Sequence, residues 1–365
     1  MSLLSVEIRM ILGLIIGLLV SLITIPPIVR VSNKKKLGSD PNQRTVHKGS
    51  VPPLGGVAIF AAVIIGTFFC VDSVGLNELR YILVGILMVF LIGLKDDLVN
   101  VSWKKKVLVE LVAAVIVVGF ADLRISSFHG ILGIWELHYS SSIAFTIFVF
   151  IALMNCFNLL DGIDGLASGM GIVVSLIFGI WLFDLGYWNF AILSFAVTGG
   201  LVTFYLFNVF GRKYKIFMGD TGSLLLGFIF TVLAIKVLSC DVPKYDRLYM
   251  ESIPTVVMGL MIIPILDTVR VFTLRLLKGK SPFSADKTHL HHILLKLGFS
   301  HWKASSMIIL INLSLFGMSL LMRNMNPMVS TAILFVMALI IMVIPNYRLR
   351  QKEYAIDKGA KVNTA

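Results

Sequence analysis

The sequence predicts an all-α, polytopic membrane protein with about eleven transmembrane helices. Of its 365 residues, 57% are hydrophobic and only 14% are charged, and the mean hydropathy is +0.91. A soluble domain of this length does not need so much apolar surface. Apolar runs that approach the roughly 20 residues needed to cross a bilayer recur along the whole chain. We place them at 8–29, 55–70, 80–94, 107–121, 143–157, 168–184, 188–207, 222–238, 253–272, 306–322 and 328–344.

The positive charge is concentrated in one set of loops. The formal net charge is +12, and 25 of the 32 Lys and Arg residues fall in alternate loops and the C-terminal tail. By the positive-inside rule these segments are cytoplasmic, which puts the N-terminus outside and the C-terminus inside. The basic face suits anionic membrane lipids and gives no reason to expect nucleic acid as a partner. We expect one transmembrane domain over 1–345 and a mobile cytoplasmic tail over 346–365.

The stretch Asn155–Gly169, NCFNLLDGIDGLASG, carries the most informative polar residues. It places Asp161 and Asp164 three residues apart at the end of an apolar run, together with Asn155 and Asn158. Carboxylates inside a membrane are costly, so they mark a hydrated pocket that holds a cation or a phosphate. A polar turn between two helices is the alternative for this stretch taken alone.

Further acids fall at the same predicted membrane boundary. Asp96 and Asp97 end the third predicted helix, where a solvated helix end is the simpler alternative. Asp220 lies between Gly219 and Gly222 at the start of the eighth, where free backbone N–H groups can face an anion. Together these carboxylates suit Mg²⁺ or Mn²⁺, which bind through one or two acids plus phosphate oxygens. Such a site predicts phosphoryl transfer, since charge must be neutralised before two anions can react.

Two cytoplasmic loops carry candidate phosphate-binding groups. Lys48 precedes the Pro-Pro and Gly-Gly pairs at 52–56, and it fits either a phosphate contact or a membrane anchor. The last long loop contains three histidines within four residues, and Asp286. Zinc is disfavoured there by the spacing and by the lack of cysteine, so contacts to phosphate and sugar hydroxyls fit better. The three are His289, His291 and His292.

Other features are interpreted as structural. Lys106 and Glu110, four residues apart, are expected to pair, as are Asp267 and Arg270. The 122–142 loop partly alternates between apolar and polar residues, which predicts a small external β-hairpin.

Four motifs together resemble the polyprenyl-phosphate N-acetylhexosamine-1-phosphate transferases. They are KDD at 95–97, NxxNLxDGIDGLA at 155–167, FMGDTGS at 217–223 and PFxxDxxHLHH at 282–292. The HLHH form is similar to the branch that uses UDP-GlcNAc. The resemblance implies transfer of GlcNAc-1-phosphate from UDP-GlcNAc to undecaprenyl phosphate, with release of UMP. It also implies a bacterial inner-membrane protein with a cytoplasmic active site, serving a surface polysaccharide pathway such as O-antigen or teichoic acid.

The resemblance also implies roles for residues. Asp220 would be a direct Mg²⁺ ligand, and Asp96 and Asp97 metal-associated or proton-accepting acids, with Asp97 a second ligand. The remaining expected site residues are Asp161, Asp164, Asn155 and Asn158 for the diphosphate and nucleotide, Phe217 for stacking on uracil, His289, His291, His292 and Asp286 for the sugar and phosphates, and Lys48 for the lipid phosphate. Two positions depart from relatives: Asn100 stands where many have an acid, and Lys287 where arginine is frequent.

The sequence leaves alternatives to the predicted function. The alternative most similar to it is the same chemistry on UDP-MurNAc-pentapeptide or another UDP-HexNAc. A transporter also buries acids at helix breaks, but it places them near the midplane and repeats them between halves. The oligomeric state is open, with a homodimer as one option.

Overall fold

The structure is a computed structural model, and it describes residues 4–35, 37, 51–281 and 288–362. Within these residues the chain is helical. The helices are α1 Val6–Lys35, α2 Gly55–Cys70, α3 Ser73–Val99, α4 Trp103–Phe120, α5 Tyr139–Leu160, α6 Leu166–Asp184, α7 Trp188–Val209, α8 Gly219–Leu238, α9 Ile253–Leu260, α10 Ile262–Leu277, α11 Leu290–Leu297, α12 His301–Leu321 and α13 Pro327–Val362.

The first of two compact units comprises Met1–Gly130 and Ile134–Met250. Helix α8 lies at its centre, because α2, α3, α5 and α6 all pack against it. Two buried aromatic pairs join α8 to α5: Phe150 with Phe228, at 5.3 Å between ring centroids, and Phe157 with Phe230, at 5.0 Å. Because α3, α5 and α8 share this core, their polar ends are held in a fixed arrangement.

The second unit comprises Ile131–Gly133 and Glu251–Ala365. Its helices α9 and α10 meet at a bend of 76°. The buried Asn312 of α12 binds both sides of the break: its amide donates to the Leu260 carbonyl at 2.8 Å and accepts from the Ile263 N–H at 3.2 Å. An apolar helix can break only where freed backbone groups find partners, and Asn312 supplies them.

The membrane-protein fold class is confirmed, and part of the predicted set of eleven spans is supported by helix length and composition. Seven helices of the described chain are long and apolar enough to cross a membrane, or eight if α9 and α10 count as one bent span. Helix α2 is apolar but has only 16 residues. Helices α3 and α4 form where spans were predicted, yet both contain several charged residues. The count of eleven and the topology therefore stay predictions.

The structure describes two further segments that have a local prediction. The 122–142 loop folds back on itself, with an isolated antiparallel bridge between Ser127 and Glu136. It forms no strand among the described residues, so the predicted β-hairpin is reduced to a turn. Helix α13 continues to Val362, through most of the segment predicted as a tail.

Gly227 tests the packing that positions the polar ends of α5 and α8. A Cβ at Gly227 would lie 2.5 Å from the Met154 Cα and 2.9 Å from the Leu153 carbonyl oxygen, which are backbone atoms that cannot rotate away. We expect Gly227→Ala to destabilise the fold by about 1–3 kcal/mol through overpacking. The measurement is the thermal melting temperature in detergent. Gly119→Ala is the matched control, because a Cβ there meets nothing within 4 Å, and an unchanged melting temperature for Gly227→Ala would contradict this packing.

Candidate active site

The N-terminus of α8 is held by a carboxylate from α3. Asp97 accepts hydrogen bonds from the backbone N–H groups of Asp220 and Thr221, at 2.8 and 2.9 Å, and another from the Thr221 hydroxyl. The first N–H groups of a helix have no partner within it and carry partial positive charge, so a carboxylate stabilises them. This contact brings Asp97 next to Asp220, which is 123 residues away in sequence.

The Pro-Gly loop reaches the same point through its backbone. Phe217 donates its N–H to the Pro52 carbonyl at 3.0 Å and accepts the Gly55 N–H at 2.9 Å. Gly219 follows with a φ of +72°, and a Cβ there would lie 2.1 Å from the Pro53 carbonyl oxygen. Only glycine fits this position. The two motifs at 52–56 and 217–223 are therefore one structural element.

An ammonium group lies between two of the predicted site carboxylates. Lys106 Nζ is 2.7 Å from Asp96 Oδ2 and also contacts Asp220 Oδ2. The other Asp220 oxygen accepts a hydrogen bond from the Asn158 amide at 2.9 Å, and that amide also donates to the Ser223 hydroxyl at 3.0 Å. Carboxylates this close repel each other unless a cation neutralises them, and Lys106 does so here.

Lys106 was missed as a site residue, because its pairing with Glu110 was expected. Its ammonium instead contacts acids of α3 and α8, and the predicted pair is not formed. Glu110 accepts a hydrogen bond from the Asn155 amide at 2.9 Å, and the same amide donates to the Ile151 carbonyl at 2.8 Å. Asn155 thus lies against Glu110. The sequence did contain a signal for this role of Lys106. Lys106 lies one turn before Glu110 in an apolar helix, so the two side chains share one face of that helix, which points inward.

The loop between α5 and α6 is tied to the segment before α8. Lys215 Nζ lies 2.7 Å from Asp164 Oδ2. The Gly165 N–H donates to the Asn208 side-chain oxygen at 2.7 Å, and the Asn208 amide donates to the Ile216 carbonyl at 2.9 Å. Asn208 and Lys215 were not predicted as site residues, yet they hold the DGIDG loop in place.

Asp161 lies at the end of α5, in the same electrostatic environment. Burial, together with the negative charges of Asp220, Asp97 and Asp164, raises the pKa of Asp161 to about 8. A carboxyl in this state releases its proton readily only when positive charge arrives nearby. The concentration of acids is therefore suited to a cation.

The predicted histidine loop belongs to the second unit. His289 Nδ1 lies 3.0 Å from Asp267 Oδ2, and Asp267 also accepts the Leu290 N–H at the start of α11. Arg270 donates to Asp267 at 2.7 Å and to the Thr288 carbonyl at 2.6 Å. The expected Asp267–Arg270 pair is confirmed, and it has the further role of holding His289.

His291 is almost fully buried, with 2% of its surface exposed. Burial, with the positive charge of His292 nearby, lowers the pKa of His291 to about 3. His291 is therefore a neutral imidazole at physiological pH. Its ring stacks parallel to that of His289, at 5.7 Å between centroids, and that of His292 lies at 4.3 Å.

Phe217, Lys48 and Asp286 are the remaining predicted site residues. Phe217 is partly exposed, and Lys215 Nζ lies 5.9 Å from the centre of its ring. Lys48 and Asp286 lie outside the described residues.

Oxygen donors dominate the site, which is the chemistry of hard cations such as Mg²⁺. No group of three or more His, Cys, Asp or Glu side chains in the described part of the chain is arranged to hold a metal alone. A pair of acids completed by substrate phosphate oxygens remains, and this is how Mg²⁺ is usually bound. The position of the Lys106 ammonium, between Asp96 and Asp220, shows that a cation fits between them.

Comparisons with known proteins identify the relatives of this chain. The family model described as "Glycosyl transferase family 4" matches residues 79–238, which include most of α3 and all of α5 and α8. A protein of Escherichia coli (strain K12) named undecaprenyl-phosphate alpha-N-acetylglucosaminyl 1-phosphate transferase is 33% identical over 284 residues, covering 77% of this chain and 75% of its own. A Bacillus subtilis (strain 168) protein named probable undecaprenyl-phosphate N-acetylglucosaminyl 1-phosphate transferase is 30% identical over 343 residues, covering 92% and 91%.

The matched region contains the acids that meet at Lys106, and the similarity to these relatives extends over most of the chain. The chain therefore belongs to glycosyl transferase family 4, among the polyprenyl-phosphate N-acetylhexosamine-1-phosphate transferases, and is a phosphoglycosyltransferase.

Proposed function

We propose that this protein transfers GlcNAc-1-phosphate from UDP-GlcNAc to undecaprenyl phosphate at the cytoplasmic face of a bacterial inner membrane. The products are undecaprenyl-diphospho-GlcNAc and UMP. The single observation that carries the proposal is the meeting of Asp96 and Asp220 at the Lys106 ammonium, with Asp97 bound to the start of α8 beside them. Two relatives named for transfer of this sugar phosphate to this lipid support the choice of substrates.

We assign Mg²⁺, or Mn²⁺, to Asp220 and a second acid. The Asp97 oxygens already accept three hydrogen bonds from the start of α8, so Asp97 positions Asp220 and has little remaining capacity. Asp96 shares the Lys106 cation with Asp220 and is the better second ligand. When bound, the ion supplies charge neutralisation on the diphosphate and on the leaving UMP.

The reaction needs positioning more than acid–base chemistry. A phosphate oxygen of the acceptor forms a bond to the β-phosphorus of UDP-GlcNAc, and the bond from that phosphorus to the oxygen bridging to the α-phosphorus breaks. The electron pair leaves with UMP. Because the acceptor oxygen is already ionised, no side chain has to remove a proton from it. The Asn158 amide donates to Asp220 and to the Ser223 hydroxyl, and so holds the Asp220 carboxylate in place for the ion.

Donor choice within the family follows from the histidine loop. The HLHH sequence at 289–292 resembles the UDP-GlcNAc branch. In the second unit, Asp267 binds both the His289 imidazole and the Leu290 N–H, and so holds His289 at the start of α11. Neutral His291 suits hydrogen bonds to sugar hydroxyls better than ion pairing with phosphate.

We expect purified protein to release UMP from UDP-GlcNAc only when undecaprenyl phosphate and Mg²⁺ are both present. Asp220→Asn keeps the shape but removes the ligand charge, and should lower kcat by at least about 10³-fold. The measurement is UMP release and radiolabelled sugar transfer with both candidate donors, with exposed Asp241→Asn as control. Activity with UDP-MurNAc-pentapeptide but not UDP-GlcNAc would contradict the donor, and full activity of Asp220→Asn would contradict the site.

The raised pKa of Asp161 predicts a pH-dependent stability. The pKa of Asp161 is higher in the folded protein, at about 8, than in the unfolded chain. The contribution of Asp161 to the stability of the folded state is therefore lost as the pH rises from the unfolded pKa to the folded one. Asp161→Asn lacks this ionisation. From about pH 6 to about pH 8.5, the melting temperature of the wild type should therefore fall relative to that of Asp161→Asn. Saturating Mg²⁺ should reduce this difference in melting temperature at the higher pH values. Asp241→Asn is again the control, and parallel pH profiles for wild type and Asp161→Asn would contradict the prediction.

A further inference from the structure

Glu110 is a buried acid that the proposed reaction does not use. It lies in α4 and has no exposed surface. One of its oxygens accepts the Asn155 amide at 2.9 Å. The other oxygen, Oε1, has no hydrogen-bond partner among the described residues. Buried carboxylate oxygens are normally paired, so an unpaired one calls for an explanation.

The surroundings of Glu110 join it to the proposed cation site. Glu110 follows Lys106 by four residues in the same helix, so the two side chains are neighbours on one helix face. The charges of Lys106 and Asp220 both act on Glu110. Asn155, which binds Glu110, lies one turn before Asn158, which binds Asp220. Glu110 and Asn155 thus form a layer directly beside the layer of Lys106, Asn158 and Asp220.

The Lys106 ammonium cannot keep its position when a divalent cation is bound. It contacts Asp96 and Asp220 at the oxygens that we assign to the ion. Two positive charges at one place repel strongly in a partly buried site. Lys106 then needs another anion within reach of its side chain, since an unpaired buried ammonium is costly.

We propose that Glu110 is that anion: Lys106 moves from Asp96 and Asp220 to the free Oε1 of Glu110 when a divalent cation binds. This inference rests on the metal site of the proposed function. Lys106 neutralises the acids while the site holds no metal, and Glu110 neutralises Lys106 once the ion is there. Glu110 is a positioning residue, because it acts through Lys106 and touches neither substrate nor ion. The exchange gives the Lys106 ammonium an acidic partner in both states.

Binding of Mn²⁺ to the full-length protein in detergent, followed by electron paramagnetic resonance of the free ion, tests this exchange without relying on activity. Glu110→Gln keeps an oxygen to accept the Asn155 amide but removes the charge. We expect it to weaken Mn²⁺ binding about tenfold, since a buried charged hydrogen bond is lost only in the bound state. Lys106→Met removes the competing ammonium and should bind Mn²⁺ at least as tightly as wild type. Exposed Glu136→Gln is the matched control, with wild-type affinity expected.

The double variant Lys106→Met/Glu110→Gln separates this role from a simple charge effect. We expect Glu110→Gln to have no further effect on Mn²⁺ affinity once Lys106 is absent, because there is then no displaced ammonium for Glu110 to bind. Equal weakening in both backgrounds, or no weakening in either, would overturn the exchange while wild-type binding still supports the metal site. Failure of the wild type itself to bind Mn²⁺ would instead overturn the proposed metal site, and the exchange with it.

Discussion

The first unit depends on neutralising carboxylates that are gathered in largely apolar surroundings. Asp96, Asp97 and Asp220 are partly buried and lie within contact of common partners. Such a group of acids is unfavourable unless each finds a cation or N–H donors. Asp97 finds the start of α8, and Asp96 and Asp220 find the Lys106 ammonium. Around this arrangement, α3, α4, α5 and α8 are all constrained.

Acids that look equivalent in the sequence are neutralised by different partners and so have different roles. Asp97 binds the α8 N-terminus, whereas the Asp220 carboxylate lies beside the Lys106 ammonium. Asp164 is bound by Lys215. Asp161 has a raised pKa, of about 8, so added positive charge is needed to stabilise its ionised form. A phosphoryl-transfer site needs rigid and exchangeable charges together, since the first hold the geometry and the second make room for substrate and ion.

Much of this was accessible from the sequence, and the missing parts share a cause. The cost of carboxylates near a membrane predicted that acids of distant motifs would meet, and the structure places Asp97 and Asp220 in contact. Family membership is confirmed by the comparisons. Lys106 was interpreted from a partner close in sequence, but its contacts are with Asp96 and Asp220, set by tertiary packing. Asp267 binds Arg270 as predicted, and tertiary packing adds its contact with His289. The count of eleven spans stays a prediction, because α2 has only 16 residues and α3 and α4 contain several charged residues.

The central claim is that Asp96 and Asp220 form an exchangeable cation site, held by Lys106 until a divalent ion replaces it. Anomalous diffraction from crystals of the protein soaked in Mn²⁺ tests this claim most directly. We expect one strong anomalous peak within ligand distance of Asp220 and Asp96, with the Lys106 ammonium displaced from both. A peak at another place, or an unmoved Lys106 with no peak, would contradict it.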